Sequence, residues 1–179
     1  MFFKLEKSYI YYYHMESGMD TLKEILWKQF GAVIDMLENA ISLCPEYFWN
    51  SDKQYWYLAY HTIFYLDYYL SEEPEKFAPP SPFTLSELDS DIMPDRVYTK
   101  KELLNYLEFG RKKCFDLIDN LTEETVKKRF INKARNYSRP EILLYNMRHI
   151  QHHAGQLNLL LRQNINDAPR WVSQTQKKY

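Results

Sequence analysis

The sequence predicts an all-α fold, on three observations. Four long segments carry apolar residues at three- and four-residue spacing, clear helix-start signals precede two of them, and glycine occurs only four times in 179 residues. The length suits one compact domain, 1–179, with enough chain to bury a core without disulfide or metal staples. Any metal is therefore expected to serve function rather than folding.

The first segment spans about Asp20 to Ser42. Leu22, Ile25, Leu26, Phe30, Val33, Ile34, Leu37 and Ile41 form its apolar stripe, and Pro45 stops it because proline lacks the backbone donor. The stretch from Tyr9 to Tyr13 ahead of it reads either as a short extra helix or as an aromatic arm. The second segment, about Lys53 to Leu70, is crowded with aromatics. Their β propensity would permit a strand, but the run is far longer than an ordinary strand and has no interior turn signal, so helix prevails. Its apolar surface runs nearly around the axis, which calls for packing on several sides or a shared face with a second copy.

Between 71 and 98 the texture changes, with Pro74, Pro79, Pro80, Pro82 and Pro94 breaking the chain. A connection this long either runs the length of the neighbouring helices, leaving the second and third parallel, or forms a lid over a site. The third helix starts at Thr99, with Glu102 placed to complete a capping box, and carries Leu103, Leu104, Leu107, Cys114, Leu117 and Ile118 inward. Gly110 allows close helix approach. Residues 122–134 form a charged, weakly amphipathic connector, with a turn expected around Asn136 and Ser138. Ser138-Arg139-Pro140-Glu141 then repeats the helix-start logic, and the last helix continues to about Gln163.

Lys plus Arg number 23 against 24 Asp plus Glu, so no overall field gathers nucleic acid or an acidic membrane. The basic clusters 111–113 and 127–129 read as solvated helix faces. No apolar run reaches membrane-span length, and Lys4, Glu6 and Lys7 interrupt the start before a signal core can form. Cys44 and Cys114 define no disulfide framework, and buried thiols in a cytoplasmic protein are the economical reading.

Four of the five histidines bear on one question. His149 and His153 stand one turn apart on a face shared with Ile142, Asn146, Leu157 and Leu160, and imidazoles on a core face need hydrogen-bond partners or a metal. His61, flanked by Leu58 and Tyr65, offers a third nitrogen from the second helix. Three imidazoles suit Zn, Ni or Fe and leave coordination positions open. The spacing alone is common among ordinary core histidines. The zinc-protease pattern is absent, since Ile150 and Gln151 follow His149. His152 points about a quarter-turn away, and His14 lies in the tyrosine-rich lead-in.

The stretch Asn146-Met147-Arg148-His149-Ile150-Gln151-His152-His153-Ala154-Gly155-Gln156-Leu157 resembles the last-helix signature of the DinB-like superfamily, and Trp56-Tyr57-Leu58-Ala59-Tyr60-His61-Thr62 resembles its second-helix segment. The resemblance covers most of the chain. It implies a four-helix bundle with a long crossover between parallel second and third helices, and a divalent metal held by His61, His149 and His153. Many members carry arginine where Ala154 stands, so the interactions of that arginine are missing here.

Related proteins include transferases and isomerases that use a low-molecular-weight thiol such as bacillithiol or mycothiol. The resemblance thus implies a metal-dependent transferase or detoxification enzyme acting on a small electrophile. A hydrolase using water as nucleophile is one alternative. It needs a base, for which Asp67, Glu108 and Asp116 are candidates that spacing cannot place. A noncatalytic metal-binding or oligomerisation module is another, with a homodimer motivated by the aromatic surplus. Asn146 and Tyr65, each one turn from a histidine, are candidates to orient a ligand, with core packing as their simpler role.

Overall fold

The computed structural model describes residues 3–89 and 91–179, with side chains from Gly18 onward; the side chains of the Tyr9–Tyr13 stretch and of His14 lie outside the described residues. The fold is mainly helical. The elements are α1 (Phe3–Leu43), α2 (Glu46–Trp49), α3 (Tyr55–Tyr69), α4 (Lys100–Asp119), a hairpin of β1 (Arg129–Ile131) and β2 (Asn136–Ser138), and α5 (Arg139–Ile165). The principal helix pairings are α1 with α4 and α5, and α3 with α4 and α5. No helix among the described residues is long and apolar enough to cross a membrane.

Helix α1 begins at Phe3 rather than near Asp20. Its buried stripe is Phe30, Val33, Ile34, Leu37 and Ile41, but Leu22 and Ile25, expected on that stripe, are 38% and 55% exposed. Pro45 ends the run as expected and caps the single turn of α2.

Helix α3 explains its own composition. Tyr55, Trp56, Tyr60, Ile63, Phe64, Leu66, Tyr68 and Tyr69 are all buried within this one chain. Only Tyr57, Leu58, His61 and Tyr65 stay half-exposed, and their spacing makes them a single narrow stripe along the helix. The 71–98 connection covers much of the rest. Phe83 stacks on Tyr60 and Tyr106, Phe77 meets Phe64 and Tyr68 edge-on, and Tyr98 packs on Tyr60. Tyr60 and Tyr65 also donate hydrogen bonds to the carbonyls of Thr84 and Glu87, at 3.0 and 2.7 Å. Prolines keep this segment from becoming a helix of its own, leaving two 3₁₀ turns, Pro74–Lys76 and Ser86–Leu88.

Both expected capping boxes form, at Thr99 with Glu102 and at Ser138 with Glu141. A Cβ on Gly110 would stand 3.0 Å from Leu66 Cδ2, so this glycine does set the approach of α4 to α3. The connector after α4 differs from expectation. Asn136 and Ser138 belong to a strand, and the turn lies earlier, where Asn132 Oδ1 accepts from the backbone of Ala134 and Arg135. Phe130 supplies the driving force by burying itself against Tyr68 and Tyr69.

Arg111, expected on a solvated face, is instead fully buried. Its guanidinium donates to Asp35, Glu38 and Glu108, joining α4 to α1. The same carboxylates anchor the last residues: Thr175 donates to Asp35, Lys177 to Glu38 and Tyr179 to Glu108, while Trp27 Nε1 donates to the Lys177 carbonyl. Thr175 lies directly over Gly31, where any Cβ would collide with it. Removing one partner of a buried ion cluster leaves the others uncompensated. Because the carboxylates keep some solvent, Arg111→Ala is expected to cost about 3 kcal/mol in urea unfolding, the low end for such losses, and to expose Lys177 to trypsin.

Candidate metal centre

One ligand nitrogen from each of His61, His149 and His153 lies within 4.8 Å of the others, and this is a group that can hold a metal ion. His61 comes from the half-exposed stripe of α3. His149 and His153 come from α5, one turn apart, and all three are half-buried. Asn146 one turn earlier is buried and donates to the Leu66 carbonyl at 2.9 Å, which ties this part of α5 to α3. Its Oδ1 is left without a partner. Its amide N–H fixes helix against helix.

Neighbouring acceptors decide which nitrogen each ring presents. Glu87 Oε2 lies 2.7 Å from His61 Nδ1, and a carboxylate accepts, so the proton sits on Nδ1 and Nε2 keeps its lone pair. Gln156 Oε1 does the same for His153, at 2.6 Å from Nδ1. The Nε2 of His153 then faces the Nε2 of His149 at 3.1 Å. Two ring nitrogens this close need a proton or a cation between them. Their separation is near the roughly 3.3 Å expected between two nitrogens on one tetrahedral ion with bonds of about 2.0–2.1 Å.

Desolvation keeps His149 and His153 neutral. Burial first, and then the nearby His153, His61, His152 and Arg135, bring the pKa of His149 down to about 3. His153 is lowered as well, chiefly by burial. A neutral imidazole is the form that binds metal, so ligands are available without first expelling protons. His149 Nδ1 and Glu87 Oε1 are buried without hydrogen-bond partners, so polar atoms converge here beyond what the chain itself satisfies. The donor set and these orphaned atoms fit a divalent ion.

The residue that sequence reasoning missed is Glu87. It sits on a 3₁₀ turn of the 71–98 connection with its side chain 1% exposed, and nothing in its local sequence distinguishes it from the other acidic residues of 72–91. Burial, and after it the closeness of Glu87, pushes the Tyr57 hydroxyl up to about 12. Tyr65 lies between the histidines and this connection, its ring centroid 4.8 Å from His61 and 5.4 Å from His149, while its hydroxyl anchors the Glu87 carbonyl. It positions Glu87, and through it His61.

The three carboxylates considered as bases are all engaged elsewhere. Asp67 is buried against Tyr106 and Lys113, Glu108 joins the Arg111 cluster, and Asp116 pairs with Lys112. His152 is exposed and meets only the flank of His153, at a centroid distance of 5.0 Å. No known protein family, curated protein or solved structure matches the chain.

Two outcomes follow. A carboxylate behind a ligating histidine typically contributes 10- to 100-fold in metal affinity. Glu87→Gln is therefore expected to weaken zinc binding by about that factor in competition with a chromophoric chelator. The second concerns acid. An unfolded chain protonates His149 near its ordinary value of 6.5, whereas the folded protein resists until about 3. The unfolded state thus binds more protons across that window, and metal-free protein loses stability as pH falls through it. Urea midpoints at about pH 7.5 and pH 5 should fall less for His149→Asn than for the unaltered protein.

Proposed function

We propose that this chain is a metal-dependent enzyme of the DinB-like type, a four-helix bundle built from α1, α3, α4 and α5, that transfers a small thiol to an electrophile. The observation that carries the reading is the convergence of three imidazoles from two helices, with no fourth histidine, cysteine or carboxylate in the group among the described residues. Such a set leaves room for an exchangeable ligand, whereas closed structural sites fill all four positions with protein atoms. Zinc, nickel and iron all suit imidazole donors.

A divalent ion held there would act as a Lewis acid, lowering the pKa of a thiol that meets it. The chain supplies the rest. His61, His149 and His153 hold the ion, and Glu87 and Gln156 keep the Nε2 lone pairs of His61 and His153 directed inward. The aromatic wall of Tyr65 and Tyr69 limits water on one side, with Tyr69 5.8 Å from His149 between ring centroids. The hydrolase reading lacks its base, because the candidate carboxylates are paired elsewhere and Glu87 is committed to His61.

Protein purified without chelator is expected to carry about one divalent ion per chain by elemental analysis, and His149→Ala to lose most of it. Loaded protein should consume an electrophile such as chlorodinitrobenzene or monobromobimane only when a small thiol is supplied. Turnover of electrophile with water alone would reverse the assignment in favour of hydrolysis.

A further inference from the structure

Beside the candidate metal centre lies an open cleft of about 490 Å³, lined by Tyr145, Arg148, His149, Gln151 and His152. One of its walls is therefore a histidine of the triad. Arg148 has no hydrogen-bond or ion-pair partner among the described residues, and no carboxylate lines the cleft. A second guanidinium is held by Tyr145, one of the residues lining the cleft. Arg135, from the end of the hairpin turn, lies 4.9 Å over the Tyr145 ring and 5.4 Å from the Tyr69 ring, and donates to the Tyr145 hydroxyl at 2.7 Å. Tyr69 in turn meets both Tyr145 and His149 edge-on.

The arrangement differs from that of other arginines in the chain. Arg111 spends its guanidinium on three carboxylates, Arg96 forms a two-pronged pair with Glu102, and Arg139 pairs with Glu72. Arg135 is held by two aromatic faces and one hydroxyl, with the rest of its planar donor fork lacking any acceptor among the described residues. Its backbone is fixed as well, since Asn132 Oδ1 accepts from its N–H at 2.7 Å. A guanidinium pinned by aromatic stacking, with donors to spare, is preorganised for a carboxylate. Tyr69 meets both Arg135 and His149, which brings such a carboxylate within reach of a molecule at the triad.

We infer that this cleft is an anion subsite, in which Arg135, assisted by Arg148, binds the carboxylate of a small thiol whose sulfur reaches the metal centre. The inference rests on the thiol-transfer reading and adds a substrate class to it: acidic thiols over neutral ones of the same size. Arg135 selects and orients, and it makes no covalent contribution to transfer.

The test uses cobalt(II)-loaded protein, whose near-ultraviolet thiolate-to-metal band reports sulfur binding directly. N-acetylcysteine and N-acetylcysteinamide differ in the carboxylate alone. The acid is expected to bind about tenfold more tightly, the factor contributed by about 1.4 kcal/mol of a charge-assisted contact. Arg135→Gln should bring the two affinities together while leaving cobalt content and amide binding unchanged, and Arg135→Lys should retain part of the preference. Equal affinities in the unaltered protein, or a preference that survives in Arg135→Gln, would overturn the subsite and leave thiol transfer standing. A cobalt spectrum indifferent to both thiols, yet perturbed by succinate in the unaltered protein and not in Arg135→Gln, would retain the anion subsite and overturn the thiol.

Discussion

Two half-buried imidazoles that face each other at 3.1 Å cannot both be cations, and around this exclusion the surroundings of the site are arranged. Burial penalises the charged ring first, and neighbouring histidines would add repulsion, so His149 is held neutral far into acid. Neutral rings have lone pairs to place. Acceptors outside the cluster settle the tautomers of His61 and His153, and both choices direct Nε2 toward the middle. The chain thus sets the ring directions of a group that can hold a metal ion, and the charge state of two of its members.

Helix α3 links this preparation to the fold. Aromatic burial on nearly every side leaves just one stripe with partial access to solvent, and His61 stands on it. The aromatic surface must be covered, and the proline-rich segment covers it. In crossing α3 that segment is pinned by Tyr60 and Tyr65, and the pinning carries Glu87 to His61. Hydrophobic burial of the 71–98 connection and orientation of the His61 ring are in this way two results of one packing arrangement. A change at Phe83 or at the Tyr60 hydroxyl would reach the site through the position of Glu87.

Much of this was legible from the residues themselves. Periodicity and capping located α3, α4 and α5 closely, because Thr99 with Glu102 and Ser138 with Glu141 are local signals that tertiary structure had no reason to override. Spacing set His149 and His153 on one face of α5, and the resemblance of the final motif and of the segment around His61 joined the third histidine to them. Long-range facts stayed hidden. Arg111 looks like any lysine or arginine in a basic run, and its burial depends on carboxylates more than seventy positions away. Glu87 lies in a segment without periodicity, so no pattern could indicate which of its acids turns inward. The hairpin escaped notice because its strands are three residues each, too short to alternate visibly. Its stability comes from Phe130 finding a socket on α3.

Cys44 and Cys114 are both free and both buried, and burial raises their thiol pKa values, that of Cys44 to about 11. Neither yields appreciable thiolate at neutral pH, the form that bonds to soft cations or exchanges with disulfides. The protein therefore keeps its two thiols chemically silent. Soft ions introduced at the histidines will not be diverted to an internal cysteine, and oxidants that convert a visiting mercaptan to its dimer will leave Cys44 and Cys114 reduced.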